Sequence, residues 1–298
     1  MAEKKRSPLL IVAVLFGVVI AGLFILVVLM ALFNSDRQPF LSASVAVVKI
    51  EGPLFESLDT LKELEDLAND PEIKAVVLRV DSPGGAVAPS QEIFSQIKKL
   101  KGKSKKVVVS MGTVAASGGY YVAAAADKIV ASAGTITGSI GVIMQSFGVQ
   151  DLAKKFMVES RVIKSGLYKD AGSPFREMTD AERVEFQALS DDVYDQFVRD
   201  VASSRNLSVE KVRSIAEGRI YSGRQALALG LVDVLGNIYD AIALARNEAG
   251  LPEDAKVRWP HEPSVFEKWF SGETHASLMW QDFFGSIVKQ RLPFWVLQ

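Results

Sequence analysis

An α/β domain on a mostly parallel sheet, carried behind an apolar N-terminal segment, is the architecture this sequence predicts. Short apolar runs of strand length alternate with amphipathic stretches of helical period, the pattern of a parallel sheet covered on both faces. Glycine and proline punctuate the joins, as in Asp81-Ser82-Pro83-Gly84-Gly85. From Ser7 to Phe33 no residue is charged, and Leu9 to Phe33 is almost wholly aliphatic or aromatic.

That apolar run comes first in the chain. As a helix rising about 1.5 Å per residue it would span roughly 37 Å, enough to cross a hydrocarbon core of about 30 Å with some tilt. Cleaved signal peptides have shorter apolar regions, about 7–15 residues, closed by small residues. Met30-Ala31-Leu32-Phe33-Asn34 is a poor cleavage site. Residues 1–33 therefore read as a cytoplasmic tip and a single uncleaved transmembrane anchor. Lys4, Lys5 and Arg6 precede the span, whereas Asp36 and Arg37 after it cancel. The positive-inside rule then puts the N-terminus in the cytoplasm and the working domain outside it.

Residues 34–44 form a short polar linker, and Val45–Ile50 reads as a strand. Leu58, Leu61, Leu64 and Leu67 recur at near-helical spacing, which predicts a helix over 57–69. Ala75–Val80 is a buried strand running into the Asp-Ser-Pro-Gly-Gly turn. A helix over 90–100 follows, with Ile93, Phe94, Ile97 and Leu100 on one face. Val107–Ser110 is the next strand, 115–126 a small-residue helix, and Ile129–Ala131 and Ile140–Met144 further strand candidates. Thr179-Asp180-Ala181-Glu182 has capping-box form and opens a long helix to about Ser204, with a stripe of Phe186, Leu189, Val193, Phe197 and Val201. Helices near 222–229 and 238–249 stop at Gly230 and Gly250. The folded domain is read as 45–250, with 251–298 an aromatic tail.

Composition narrows the function. With 298 residues the chain can bury a sizeable core, and a net charge of -1 without a concentrated basic surface excludes nucleic acid as a partner. Absence of cysteine removes disulfides, thiolate nucleophiles and Cys-ligated metals. His261 and His275, the two histidines, both fall in the last 40 residues, so a histidine base would have to come from the tail.

Three segments carry candidate chemistry. In Asp81-Ser82-Pro83-Gly84-Gly85 two glycines let backbone N–H groups approach a ligand, as an oxyanion site requires; alone, the motif reads equally as a tight turn. In Gly112-Thr113-Val114-Ala115-Ala116-Ser117-Gly118-Gly119-Tyr120-Tyr121 a serine is left sterically open at a helix N-terminus that favours negative charge; alone, it reads as an N-cap. Lys164-Ser165-Gly166-Leu167-Tyr168-Lys169-Asp170 contains two lysines, ordinarily surface groups.

Taken together and in this order, the segments DSPGG at 81–85, ASGGYY at 116–121, TGSIGV at 137–142, KSGLYKD at 164–170 and YSGRQALALGLVD at 221–233 resemble the signal peptide peptidase (SppA-type) family in its short form. The resemblance covers about Val45 to Ala249. It implies a crotonase-like fold related to the Clp protease, no cofactor and no metal. It further implies a ring-like homo-oligomer on the bacterial cytoplasmic membrane that degrades remnant signal peptides and other membrane-associated peptides. Carried over by motif, Ser117 is the nucleophile, Lys169 the general base and Ser139 the residue that orients the lysine amine. Backbone N–H groups of Gly84 or Gly85 and of Gly118 make the oxyanion hole.

A lysine used as a base must lose its proton near neutral pH, although free lysine titrates near ~10.4. A largely dry pocket around the amine is therefore expected, since burial disfavours the charged form. Three other readings share parts of the pattern. An acyl-CoA enzyme on a crotonase-like fold would need a carboxylate base and a cytoplasmic site. A membrane scaffold would tolerate loss of Ser117 or Lys169. A sister membrane protease of the same clan would differ only in substrate. The tail carries nine Phe or Trp from residue 256 onward, and is expected to contact neighbouring subunits or the bilayer.

Overall fold

The computed structural model describes residues 17–26 and 43–260. Residues 17–26, inside the apolar run, are helical. No helix among the described residues is long and apolar enough to cross a membrane, and the remainder of the run lies outside them.

The sheet is built from β1 (Ala43–Glu51), β2 (Ala75–Ser82), β3 (Lys106–Ala116), β4 (Lys128–Ala131), β5 (Ile136–Gly138), β6 (Ile220–Ser222), β7 (Val234–Leu235) and β8 (Lys256–Arg258). Its order is β6-β5-β3-β2-β1-β8, with β4 beside β3 and β7 beside β4. Every pairing is parallel except β5 with β6. Period-two alternation decides which face each side chain serves. Val45, Val47, Ala75, Val77, Val108 and Val130 point to one face, where helix α8 (Ile238–Glu248) covers them with Ala241, Ile242 and Ala245. Ala46, Val48, Val76, Leu78, Val80, Val107 and Val109 point to the other. There they meet α1 (Leu58–Asn69), α2 (Val87–Gly102), α3 (Gly118–Ala124), and the C-terminal half of α5 (Asp180–Arg205). Three short helices, α4 (Gln150–Lys155), α6 (Val209–Ile215) and α7 (Gly223–Leu229), also belong to the domain.

The capping box at Thr179 forms as expected, with Thr179 Oγ1 accepting from the Glu182 N–H at 3.2 Å and Glu182 Oε2 from the Thr179 N–H at 3.0 Å. Gly230 and Gly250 stand in the left-handed region at φ 81° and 63°, ending α7 and following α8. The sheet runs on past Gly250, where the sequence reading closed the domain: β8 pairs with β1. Ile140–Met144 is not a strand. The strand is the segment before it, Ile136–Gly138, held to β3 by ladder bonds and by Thr137 Oγ1 donating to the Ala115 carbonyl at 2.6 Å.

β3 is longer than the four-residue strand read from sequence, and its middle is the structural key to the site. Val108–Ser110 pair with β4, whereas Val114–Ala116 pair with β5. Between them the register against β2 slips, so that Val80 faces Met111 but Ser82 faces Ala115. Such a bulge leaves backbone groups without ladder partners. Asp81 repairs it: its Oδ1 accepts the Val114 N–H at 3.1 Å, and the buried Thr135 hydroxyl donates to the Gly112 carbonyl at 2.8 Å. A Cβ on Gly112 would stand 2.5 Å from the Asp81 carboxylate, so only glycine fits. Asp81→Ala is expected to lower stability by about 1–3 kcal/mol, the cost of orphaning a partly buried donor, while Asp81→Asn keeps the acceptor and most of the stability. Urea unfolding of the two variants checks this.

Candidate active site

β3 ends by delivering Ser117, which stands at φ 51°, ψ -122° on the sharp turn into α3. The helix read over 115–126 begins only at Gly118, because Ala115 and Ala116 are still in the ladder. A non-glycine residue in that conformation costs on the order of 1–3 kcal/mol. The surrounding contacts over-determine it. The Ser117 N–H donates to the Gly138 carbonyl at 2.9 Å, and the Ser117 carbonyl accepts from the Tyr121 N–H at 2.8 Å. Burial of Tyr120 and Val122 in the helix that follows, at roughly 1.5–3 kcal/mol for each large apolar side chain, more than offsets the strain. The Ser117 side chain makes no capping bond, so the hydroxyl is left for other work.

The Asp-Ser-Pro-Gly-Gly turn lies directly against this serine. A Cβ on Gly84, whose φ is 102°, would come within 2.7 Å of the Gly118 nitrogen and 2.8 Å of Ser117 Cβ. The turn is pinned from outside by residue 54: its N–H donates to the Gly84 carbonyl at 2.8 Å and its carbonyl accepts from Ala86 at 2.9 Å. Of the two candidate glycines, Gly84 gives its N–H to the buried Ser82 hydroxyl at 3.1 Å. Among the described residues Gly85 has no such commitment, and its nitrogen lies 3.3 Å from where a Gly118 Cβ would be. Gly118 is the first residue of α3, whose N–H an α-helix leaves without an intrahelical acceptor. Two backbone donors thus flank Ser117.

Ser139 also comes to the site. It follows β5 immediately, next to the carbonyl that holds the Ser117 N–H, and its own N–H donates to the Arg219 carbonyl at 2.7 Å. Its φ of 51° turns the chain away from the sheet.

Lys169 is placed differently from the expectation. It lies exposed on a turn closed by its N–H donating to the Gly166 carbonyl at 3.3 Å, so the dry pocket expected around its amine is not formed within one chain. The reason is local composition: from Gly141 through Ala181 no residue is buried, and Phe147, Phe156, Met157, Ile163 and Leu167 are all exposed. His261 and His275 lie outside the described residues. Tyr121, four residues past Ser117, is no base. Burial, and next its hydrogen bond to the Asp200 carboxylate, pushes its phenol well above the ordinary range.

Sequence reasoning missed three supporting side chains. Asp81 and Ser82 were seen only as parts of a motif, and Ser90 only as the start of a helix. The Ser90 hydroxyl, which donates to the Ala86 carbonyl at 3.0 Å, fills the space beneath Gly118. No local pattern marks such a role.

Comparison with known proteins settles the family. Residues 99–252 match the model of Peptidase family S49. This chain belongs to that family. A Synechocystis sp. protein bearing a protease name is 49% identical over 74% of this chain and 78% of its own length. Protease 4 of Salmonella typhi is 38% identical over 70% of this chain and 34% of its own, and the chloroplastic serine protease SPPA of Arabidopsis thaliana 33% identical over 74% and 34%. The chain thus spans about a third of those two longer relatives. Among solved structures, the 1510-N membrane-bound stomatin-specific protease superposes with a TM-score of 0.50 at 14% identity, over 75% of this chain and all of the other, which shows a shared fold. As an S49 member the chain is a serine-type peptidase.

Proposed function

We propose that this S49 peptidase is a membrane-anchored endopeptidase with a Ser117/Lys169 dyad on a crotonase-like domain, acting on remnant signal peptides and other membrane-associated peptides. The observation that carries the reading is the strained turn that leaves the Ser117 hydroxyl uncommitted between the N–H groups of Gly85 and Gly118. Ser117 Oγ attacks the scissile carbonyl and its proton passes to the Lys169 amine, which Ser139 orients. The oxyanion forms against Gly85 and Gly118, because Gly84 has spent its N–H on Ser82. Collapse returns the proton to the leaving amine, and water then hydrolyses the acyl-enzyme with Lys169 again as base.

A base exposed to water needs a lid. The unburied stretch 141–181 carries too much exposed apolar surface for a solvated loop, which supports its docking on another subunit of a ring-like homo-oligomer, where Lys169 would lose its water. The uncharged run before Asn34 supports an anchor in the bacterial cytoplasmic membrane, with the peptidase domain on the outer side.

The substrate reading is tested with the full chain in detergent micelles, given a synthetic signal peptide and a polar peptide of equal length. We expect kcat/KM at least about tenfold higher for the apolar peptide, a difference of only about 1.4 kcal/mol. Equal or reversed preference would contradict the substrate class while leaving the dyad standing.

A further inference from the structure

The loop that pins the glycine turn leaves large apolar side chains in water. Leu54 is buried and holds Gly84 and Ala86 through its backbone, whereas Phe55, the next residue, is 71% exposed. The loop is tied again at Ser57, whose buried hydroxyl donates to the Glu92 carboxylate of α2, so Phe55 is presented between two fixed points. Leu58, which opens α1, and Val87, which opens α2, are 67% and 40% exposed. From Pro83 to Pro89 no side chain is polar. The glycine turn lies between this apolar surface and the serine: a Cβ on Gly84 would meet Ser117 and Gly118, while one on Gly85 would stand 2.4 Å from the Leu54 carbonyl oxygen. Gly85 and Ala86 are exposed and small, which leaves the way across the turn open.

Beyond the apolar surface, α1 and α2 lie side by side, tied by Gln96 Nε2 donating to Glu65 at 2.6 Å and by Lys103 Nζ donating to Asn69 at 2.7 Å. Between them runs a groove of about 320 Å³ whose lining includes Leu61, Ala88, Gln91, Ser95 and Lys99. The last four recur at three- and four-residue spacing, one face of α2. At about 1.5 Å per residue this face runs roughly 18 Å from Val87 to Lys99, the reach of about five residues of extended peptide at about 3.3 Å each. The lining is apolar near the turn and polar farther out. Among the described residues neither the Ser95 hydroxyl nor the Lys99 amine has a partner, so both face the groove uncommitted.

We infer that the groove between α1 and α2 is an extended substrate subsite: the peptide crosses the glycine turn from Ser117, rests an apolar side chain on Phe55, Leu58 and Val87, and lays its next residues along α2 toward Ser95 and Lys99. The inference deepens the proposed function and rests on Ser117 as the nucleophile. Single exposed apolar residues are ordinary, but a cluster beside a reactive serine that opens into a groove marks a ligand surface. Contacts this far from the scissile bond favour a longer peptide over a shorter one with the same cleavage segment.

The test uses the full chain in detergent and three peptides. One is an apolar cleavage segment alone; the other two extend it by five residues, two apolar and then three polar, on its N-terminal or its C-terminal side. One extended peptide should be cleaved with kcat/KM at least about tenfold above the unextended one, the other within about threefold of it. Ser95→Trp and Ala88→Trp each place an indole in the groove, and each should cut that advantage to less than about threefold, chiefly through KM. Phe55→Ala should lower the preference for leucine over serine at the first extended position by about fivefold. An advantage from neither extension, or one that survives both tryptophan variants, overturns the inference. Light scattering and liposome binding are read on the same variants. A changed oligomer size would mean that a second copy covers the groove, and weakened liposome binding with unmoved peptide kinetics would mean that lipid does; either overturns it. Failure of the nucleophile reading is seen separately, as a fluorophosphonate adduct on a serine other than Ser117 in the parent.

Discussion

Lys169→Ala and Ser117→Ala should each abolish peptide turnover, with a fall of about 10⁴-fold or more, while the urea midpoint hardly moves. Nucleophile and base act as one unit, so removing either costs nearly the whole catalytic gain, and combining them adds little. Neither change should unfold the domain. Lys169 is exposed and packs into neither core cluster, and alanine at 117 replaces a side chain that makes no capping bond. His261→Ala and His275→Ala should keep activity within about threefold, because a lysine-based dyad assigns neither a proton to carry. A folded but inactive histidine variant would contradict the lysine assignment.

The second large effect is steric. Gly84→Ala places a methyl 2.7 Å from the Gly118 nitrogen and 2.8 Å from Ser117 Cβ, at a φ of 102° that alanine resists. The methyl intrudes on the side of the turn where an oxyanion would sit, so the loss should be on the order of 10²–10³-fold in kcat, comparable with removing an oxyanion donor. Gly118→Ala drives its methyl into the Ser90 hydroxyl, and should show the same loss. Overpacking and backbone strain should also lower stability by about 1–3 kcal/mol in each. Gly134→Ala is the control: nothing lies within 4 Å of its added Cβ, and activity should be unchanged. Steady-state kinetics on the three variants, with unfolding curves, separates the collision at the site from a general intolerance of alanine.

How far this was legible in the sequence depends on the range of the interactions involved. Strands β1 and β2 and helices α1, α2, α5 and α8 follow from period and caps, because one side chain in two or in 3.6 must face the core. The serine and the glycine turn were legible as motifs. The β3 bulge was not, since it depends on an Asp81 carboxylate reaching Val114 across the sheet. Nor was the pairing of β8 with β1, which joins residues at opposite ends of the domain. Ile140–Met144 has the composition of a strand, yet only Ile140 is buried, and Ile143 and Met144 stay exposed. The same holds for the N-terminal half of α5, where Leu189 of the predicted stripe is 52% exposed. Apolar pattern reports what a segment can bury, not which chain buries it. Glu182 was legible as a cap, but its pairing with Arg176 required knowing where the loop before α5 returns.

The most direct test of the account is where, and how fast, a fluorophosphonate reacts with the full chain in detergent. Mass spectrometry of the adduct should place it on Ser117, and Lys169→Ala should slow its formation by about 10³-fold, because the hydroxyl then has no proton acceptor. An adduct on another serine, or an undiminished rate in Lys169→Ala, would contradict the dyad.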